Sequence, residues 1–239
     1  MAIEITKTAL ITGASRGLGL ALATALASRG WRLILDARGA QALEAARAAL
    51  AEHTMVTAIA GDVTDPRHRA ALAEAAANAG GLDALVNNAS LLGPSPQPNL
   101  LAYPIDTLLK VYVTNVLAPL ALLQALAGQL KPEARVINVT SDAGVEAYAG
   151  WGGYGSSKAA LEHLTAILAA ENPDRHIYWV DPGDMNTQML QEAYPGEDVS
   201  DRPLPEVSVA GFLALLGATG GAALPNGRYA ARAVKTGVP

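Results

Sequence analysis

The chain has 239 residues, 51% hydrophobic and 16% charged, with 17 Lys+Arg against 22 Asp+Glu for a formal net charge of −5. That is ample apolar material for a core and excludes disorder, while the acidic balance without a basic run excludes a nucleic-acid surface. No cysteine is present, which excludes disulfides and thiolate-held metals and fits a reducing cytoplasm.

In chain order, residues 1–7 lack the basic-then-apolar layout of a signal peptide, so secretion is not expected. Short apolar runs then alternate with helical patterns: strands at 8–11, 32–35 and 56–60, each followed by a helix, at 18–29, 40–51 and 66–78. Further strands are expected at 84–87, 135–140 and 176–180, with a helix-rich stretch between the first two. Hydrophobicity that is continuous within these runs marks strands buried on both faces, as in a parallel sheet. The expectation is an α/β fold: a doubly wound parallel sheet with helices on both faces, in a single domain over residues 1–239. The proline-rich segment 93–98 reads as a surface loop, because the βα alternation continues beyond it. Residues 183–205 are irregular enough for a lid or binding loop. The uncharged stretch 209–225 contains four glycines and falls short of the roughly 20 apolar residues of a membrane span. It reads as a buried helix followed by a loop, so no membrane association is expected.

Two motifs carry chemistry. Gly13, Ser15, Arg16, Gly17, Leu18 and Gly19 form a glycine-rich turn between a strand and a helix, where backbone can approach a pyrophosphate at the helix N-terminus. The alternative is a glycine-rich turn that binds nothing. Downstream, Tyr154 and Lys158 are four residues apart, one helical turn on the same face, with Ser141 before them. A free phenol has a pKa of about 10, and a neighbouring ammonium favours the phenolate, which would make Tyr154 an acid-base group. The four histidines lack ligand spacing, so no metal site is expected. Ser141 lacks the glycine-flanked elbow of a serine hydrolase.

The set Thr12 to Gly19, Asn87-Asn88-Ala89, Asn115, Ser141, Tyr154, Lys158 and Pro182-Gly183 resembles the classical short-chain dehydrogenase/reductases, with matches in order from Thr12 to Thr187. The resemblance implies a Rossmann-type sheet and hydride exchange between a nicotinamide cofactor and a small-molecule carbonyl or alcohol. It assigns Tyr154 as proton donor or acceptor, and Lys158 as the group that lowers its pKa and holds the nicotinamide ribose. Ser141 becomes a hydrogen-bond partner of the substrate oxygen, and Asn115 the link from Lys158 to a water-mediated proton path. Asp62 and Val63 then lie near the adenine, Asn88 and Ala89 near its ribose, and Pro182, Gly183 and Thr187 beside the nicotinamide. Taken singly, each has a structural reading: a strand terminus, a turn, a partner of Thr64 for Asp62, an interface aromatic. The sequence departs from the family at Ser90, where the family carries glycine.

Asp36 ends the second strand and invites an NAD assignment, but the family's discriminating acid falls one residue later, at Ala37. Arg38 follows, and Arg16 with Arg38 could clamp a 2′-phosphate through forked hydrogen bonds, so NADP is expected ahead of NAD. The alternative for both arginines is a solvated surface. Leu91, Leu92, Tyr148, Trp151, Met185, Met189 and Tyr194 are candidate pocket walls for an apolar or aromatic substrate, with core or interface packing as the alternative. A homodimer or homotetramer is implied by the family. A non-catalytic nucleotide-sensing or regulatory protein is the competing function, since fold does not dictate activity; a structural partner that uses its apolar helices and binds no nucleotide is a third.

Overall fold

In a computed structural model, described over residues 7–220 and 222–235, apolar runs and helical patterns alternate as β1 (Thr8–Ile11), α1 (Gly17–Ala27), β2 (Arg32–Ala37), α2 (Ala40–Leu50), β3 (Val56–Ala60), α3 (Pro66–Asn78) and β4 (Leu82–Asn87). Next come α4 (Ile105–Tyr112), α5 (Ala118–Leu126), β5 (Leu130–Val139), α6 (Gly152–Glu171), β6 (His176–Asp181), α7 (Gln188–Ala193), α8 (Glu206–Leu215) and β7 (Gly227–Ala230). The reading of the N-terminus lies outside the described residues except for Lys7, and Gly221 of the 209–225 stretch lies outside them too. The strands form one seven-stranded sheet in the order β3-β2-β1-β4-β5-β6-β7, all pairings parallel. This is the doubly wound α/β fold the alternation predicts.

Side chains alternate across the pleat, so neighbouring residues of one strand feed two cores. Ile11, Leu33, Leu35, Ile137 and Val180 pack with Leu22 and Leu26 of α1 and Phe212 of α8; Leu10, Ile34, Leu85, Val136 and Ile177 pack with Leu72 of α3 and Leu122 and Leu126 of α5. Full burial of each such side chain stabilises the fold by about 1.5–3 kcal/mol before entropy is counted. Gly211 lets α8 lie against the 231–233 turn, since any Cβ there would run into the Ala231 carbonyl.

The sheet's far edge differs from the sequence expectation. β7 pairs with β6 through Tyr178↔Gly227 to Asp181↔Ala230, although Gly227-Arg228-Tyr229-Ala230 contains no apolar run that would announce a strand. A second difference lies between β4 and β5. α4, a π-helical segment Val113–Leu117 and α5 are continuous, and this rod, Ile105–Leu126, is long and apolar enough by length and composition to cross a membrane. It packs through Val111, Asn115, Val116, Leu122 and Leu126 onto the α3/α6 layer. Within the uncharged 209–225 stretch, the residues to Leu215 belong to α8 and those after it to a loop, Gly221 apart.

A polar ladder fixes α6 to the centre of the sheet. Asn87 Nδ2 on β4 donates to Asn138 Oδ1 on β5 (2.8 Å), and Asn138 Nδ2 donates to Thr165 Oγ1 on α6 (2.8 Å), all buried.

Candidate active site

Beyond the C-terminal ends of the strands opens a cleft of about 1260 Å³ that runs from Arg38 and Asp62 past the glycine turn to Tyr154 and Met189. Gly13 (φ 65°) and Gly17 (φ 55°) take the left-handed conformation that the turn requires. Gly19 must lack a side chain because a Cβ would strike the Gly13 carbonyl. Arg16 occupies the N-cap of α1, and its own side chain makes no capping bond to the first-turn N–H groups, the groups an anion would use. From β4, Thr12 Oγ1 accepts from the backbone N–H groups of Asn88 and Ala89 (3.0 Å each), while Asn88 Nδ2 donates to the carbonyls of Thr12 (2.9 Å) and Gly13 (3.1 Å). The turn is therefore held open by its neighbours, a shape that fits a dinucleotide phosphate. Ser15, Leu18 and Ala89 also border the cleft.

On the far side, Gly183 (φ 70°) follows Pro182, whose carbonyl accepts from the buried Ser208 hydroxyl (2.7 Å). Thr187 caps α7 by accepting from Leu190 N (3.3 Å), and its methyl faces Gly17. Arg16 donates to Gln188 on α7, bridging the cleft, whereas Arg38 stands at the end of β2. Both guanidinium side chains line the same cleft, Arg16 engaged by Gln188 across it.

At the β2 and β3 ends, Asp36 is buried and its Oδ1 lies 2.5 Å from His68 Nε2 of α3. Burial pushes the Asp36 carboxyl above its ordinary value, and His68 opposes that rise. Asp62 Oδ1 accepts from Thr64 N and Oγ1 (2.8 Å each). Burial works to raise Asp62, but these bonds, with Arg38 and His68 nearby, hold it below the usual carboxylate range. Its side chain thus does what the turn reading anticipated while it still borders the cleft. Val63 borders the cleft too and is buried in the core beneath.

Tyr154 and Lys158, on consecutive turns of α6, are both buried. Lys158 Nζ donates to the Val139 carbonyl (2.8 Å) and lies 5.4 Å from the Tyr154 ring centroid. The expected lowering of the phenol by Lys158 does not appear: burial pushes Tyr154 well above its ordinary value, Asp181 and Asp142 add to the rise, and the hydroxyls of Ser90 and Ser141 oppose it. The reason is desolvation, which disfavours charge on both groups and also brings the Lys158 ammonium down to about 8 against the pull of Glu162. Ser141 both caps and faces the phenol. Its Oγ accepts from Ala143 N (3.2 Å) and donates to Asp142 Oδ1 (2.9 Å).

Asn115 lies in the π-helical segment, where Ala118 N bonds to the Val113 carbonyl. Its Oδ1 accepts from Leu91 N (2.8 Å) and Ser90 Oγ (3.1 Å); its Nδ2 donates to Leu91 O (2.9 Å) and Ser157 Oγ (2.9 Å). It thereby ties the segment after β4 to α6 and makes no bond to Lys158. Ser90, the departure from the family pattern, is the group that sequence reasoning passed over: its hydroxyl joins Asn115 to the Tyr154 surroundings. Arg228 of β7 was equally invisible. It bonds Glu162 (3.0 Å), Asp181 (3.4 Å) and the Ser141 carbonyl (3.3 Å), neutralising acids beside the trio.

Among the pocket candidates, Leu92, Trp151 and Met189 cluster with Tyr154, and Trp151 lies 5.9 Å from both the Tyr154 and Tyr194 rings. Leu91 and Met185 border the cleft, Met185 also packing on the α1/α8 core. Tyr148 is exposed and apart from that cluster, its single hydroxyl proton lying between the carboxylates of Glu146 (2.9 Å) and Asp142 (3.2 Å).

Comparison with known proteins adds three findings. The family model for short chain dehydrogenases matches residues 7–198. The rhamnolipids biosynthesis 3-oxoacyl-[acyl-carrier-protein] reductase of Pseudomonas aeruginosa is 36% identical over 183 residues, 72% of this chain and 69% of that protein. Of solved structures, a short chain dehydrogenase from Shigella flexneri complexed with NADP is similar at 27% identity with a TM-score of 0.85 (93% and 96% of the two chains), and NAD+-bound xylitol dehydrogenase shares the fold at 23% and 0.78 (95% and 98%).

Proposed function

The chain belongs to the short-chain dehydrogenase family, NAD(P)-dependent oxidoreductases of alcohol and carbonyl groups, and on that premise we propose that it uses NADP(H) in preference to NAD(H), with Tyr154 as its acid-base group. The observation that carries the reading is the convergence of Tyr154, Ser141 and Lys158 at the inner end of a cleft whose other end holds Arg38. The residues fit the cofactor: a glycine turn with two left-handed positions, an α1 N-cap without a side-chain bond, and guanidinium groups at Arg16 and Arg38.

Held by the Gly13–Gly19 turn with Arg16 and Arg38, a nicotinamide dinucleotide would supply or accept the hydride. In reduction, the Tyr154 hydroxyl gives its proton to the carbonyl oxygen as the carbon gains hydride, and an alcohol results. Ser141, released from Asp142, donates to the same oxygen and stabilises charge that develops there. Lys158 stays beneath the ring and steadies the phenolate left behind, while Asn115 holds residues 90–91 and Ser157 in place around them. Burial that keeps the phenol protonated suits the donor role, so the reading favours reduction at neutral pH, with alcohol oxidation gaining as pH rises. The apolar wall of Leu92, Trp151 and Met189 suits an apolar or aromatic carbonyl.

Tyr154→Phe tests this. A fall of about 10²–10⁴-fold in turnover with any carbonyl substrate found from a broad panel is expected, while NADPH binding persists. Unchanged turnover would remove Tyr154 from the mechanism; tight cofactor binding with no hydride transfer across the panel would favour a nucleotide sensor.

The same reading includes one catalytic and cofactor-binding domain and a homo-oligomer. Ile105, Leu109 and Leu117 expose an apolar face along the α4–α5 rod, which a second copy would cover.

A further inference from the structure

The first turn of α6 is built from residues poorly able to hold a helix by themselves. Gly152, Gly153 and Gly155 surround Tyr154, and Trp151 at the N-cap makes no side-chain capping bond. Each glycine is instead a seat for a neighbour. A Cβ on Gly152 would strike Leu100, one on Gly153 would strike the ring and hydroxyl of Tyr103, and one on Gly155 would meet the Ala143 carbonyl. Leu100 and Tyr103 both belong to the connection between β4 and α4. The place of the Tyr154 phenol is thus set from outside its helix, by what leans on these glycines.

Leu100 is exposed, whereas Tyr103 is only 5% exposed, and its buried hydroxyl finds no hydrogen-bond partner among the described residues. Such a hydroxyl costs stability, so the reason for a tyrosine-sized side chain here lies in its shape. Its outer end lies between Gly153 and Gly93, a left-handed residue (φ 109°) on which a Cβ would again collide with Tyr103. Gly93 directly follows Leu91, which borders the cleft, and Leu92, which packs on Tyr154. One ring therefore abuts both the segment that walls the cleft and the turn that carries the phenol, and close packing passes a shift of one to the other.

We infer that Tyr103 is a positioning residue for the reaction: wedged between Gly93 and Gly153, its ring locks the cleft wall at Leu91 and Leu92 to the Tyr154 turn of α6, so that pocket and phenol keep one geometry. It acts by volume, through Gly153. This role rests on the acid-base reading of Tyr154 and deepens it.

The test is fluorine NMR of the full chain labelled with fluorotyrosine, the Tyr154 signal being identified by its loss in Tyr154→Phe. In Tyr103→Ala that signal should move and the phenol should titrate at lower pH, because the burial that holds it up is opened. A signal and titration that stay in place in a folded Tyr103→Ala overturn the inference. Tyr103→Phe, which keeps the ring, should leave both as in wild type; the same change as in Tyr103→Ala would assign the effect to the hydroxyl and overturn the wedge. In turnover of the panel carbonyl that wild type reduces fastest, Tyr103→Ala should lower kcat by about 10–100-fold and Tyr103→Phe should restore it, with NADPH affinity within about twofold of wild type in both, since the glycine turn is untouched. An unchanged kcat, or NADPH affinity lost together with it, would overturn a positioning role. If Tyr103→Ala does not fold, Tyr103→Leu, which fills apolar volume but cannot span both glycines, answers in its place. The acid-base reading is judged apart: turnover that survives in Tyr154→Phe would retire it, while the Tyr154 signal still decides whether Tyr103 places the ring.

Discussion

Ser90 bonds to Asn115 and its hydroxyl favours the Tyr154 phenolate, so its replacement has a definite sign. Ser90→Gly removes that favourable partner, and the phenol rises further. The pH profile of alcohol oxidation should then shift to higher pH with a rate several-fold lower at neutral pH, while reduction at neutral pH changes little. A profile that does not move would show that Ser90 only braces Asn115. Arg228 acts in the same sense from the other side, since Asp181 raises the phenol and Arg228 pairs with Asp181. Arg228→Met should therefore also carry the oxidation profile upward, measured by the same titration of rate against pH.

Among elements, α8 and α6 do different work. α8 contributes Phe212, fully buried against both α1 and the sheet, and Gly211, pressed on the Ala231 carbonyl. Phe212→Ala should cost about 3–5 kcal/mol in urea unfolding, the usual sum of lost transfer and residual cavity. Gly211→Ala should destabilise although alanine is the better helix former, because the clash is with backbone that cannot rotate away. α6 is positioned by buried Leu161 and Ala169 and, in addition, by the Asn87–Asn138–Thr165 ladder and by Asn115–Ser157. Thr165→Val should thus lower kcat more than its modest volume change suggests, with Asn138 Nδ2 left unpaired inside the protein.

Across the whole molecule, the buried Lys158 couples activity to stability. Its folded-state pKa of about 8 lies below the ordinary lysine value of 10.5, so between these two pH values the unfolded chain binds more protons and stability rises with pH. Below 8 the cost of the buried ammonium is present in full. Lys158→Met should accordingly stabilise the protein at pH 7, by on the order of 1–3 kcal/mol, and flatten the rise between pH 8 and 10, as read by denaturant unfolding at several pH values. Loss of activity in the same variant would mark the charge as retained for function at the expense of stability. The apolar face of Ile105, Leu109 and Leu117 belongs to this scale as well; sedimentation should show a dimer or larger, and Leu109→Lys should shift it toward monomer.

By itself the sequence determined the sheet and the order of its elements, because period and turn chemistry are local: β1, β3 and α3 begin and end where the apolar runs and the helical pattern place them. It also placed Gly13, Gly17, Tyr154 and Lys158, since a turn and a one-turn helical spacing survive in one dimension. Tertiary structure decided everything that depends on partners distant in the chain. β7 becomes a strand because β6 offers an unpaired edge, not because of its own residues. The Tyr154 phenol rises rather than falls because burial dominates, with Asp181 and Asp142 adding to it. Asp36 faces His68, 32 residues away, through the space left by Gly61. Desolvation and long-range pairing have no periodicity along the chain, and these set the charge at both ends of the cleft.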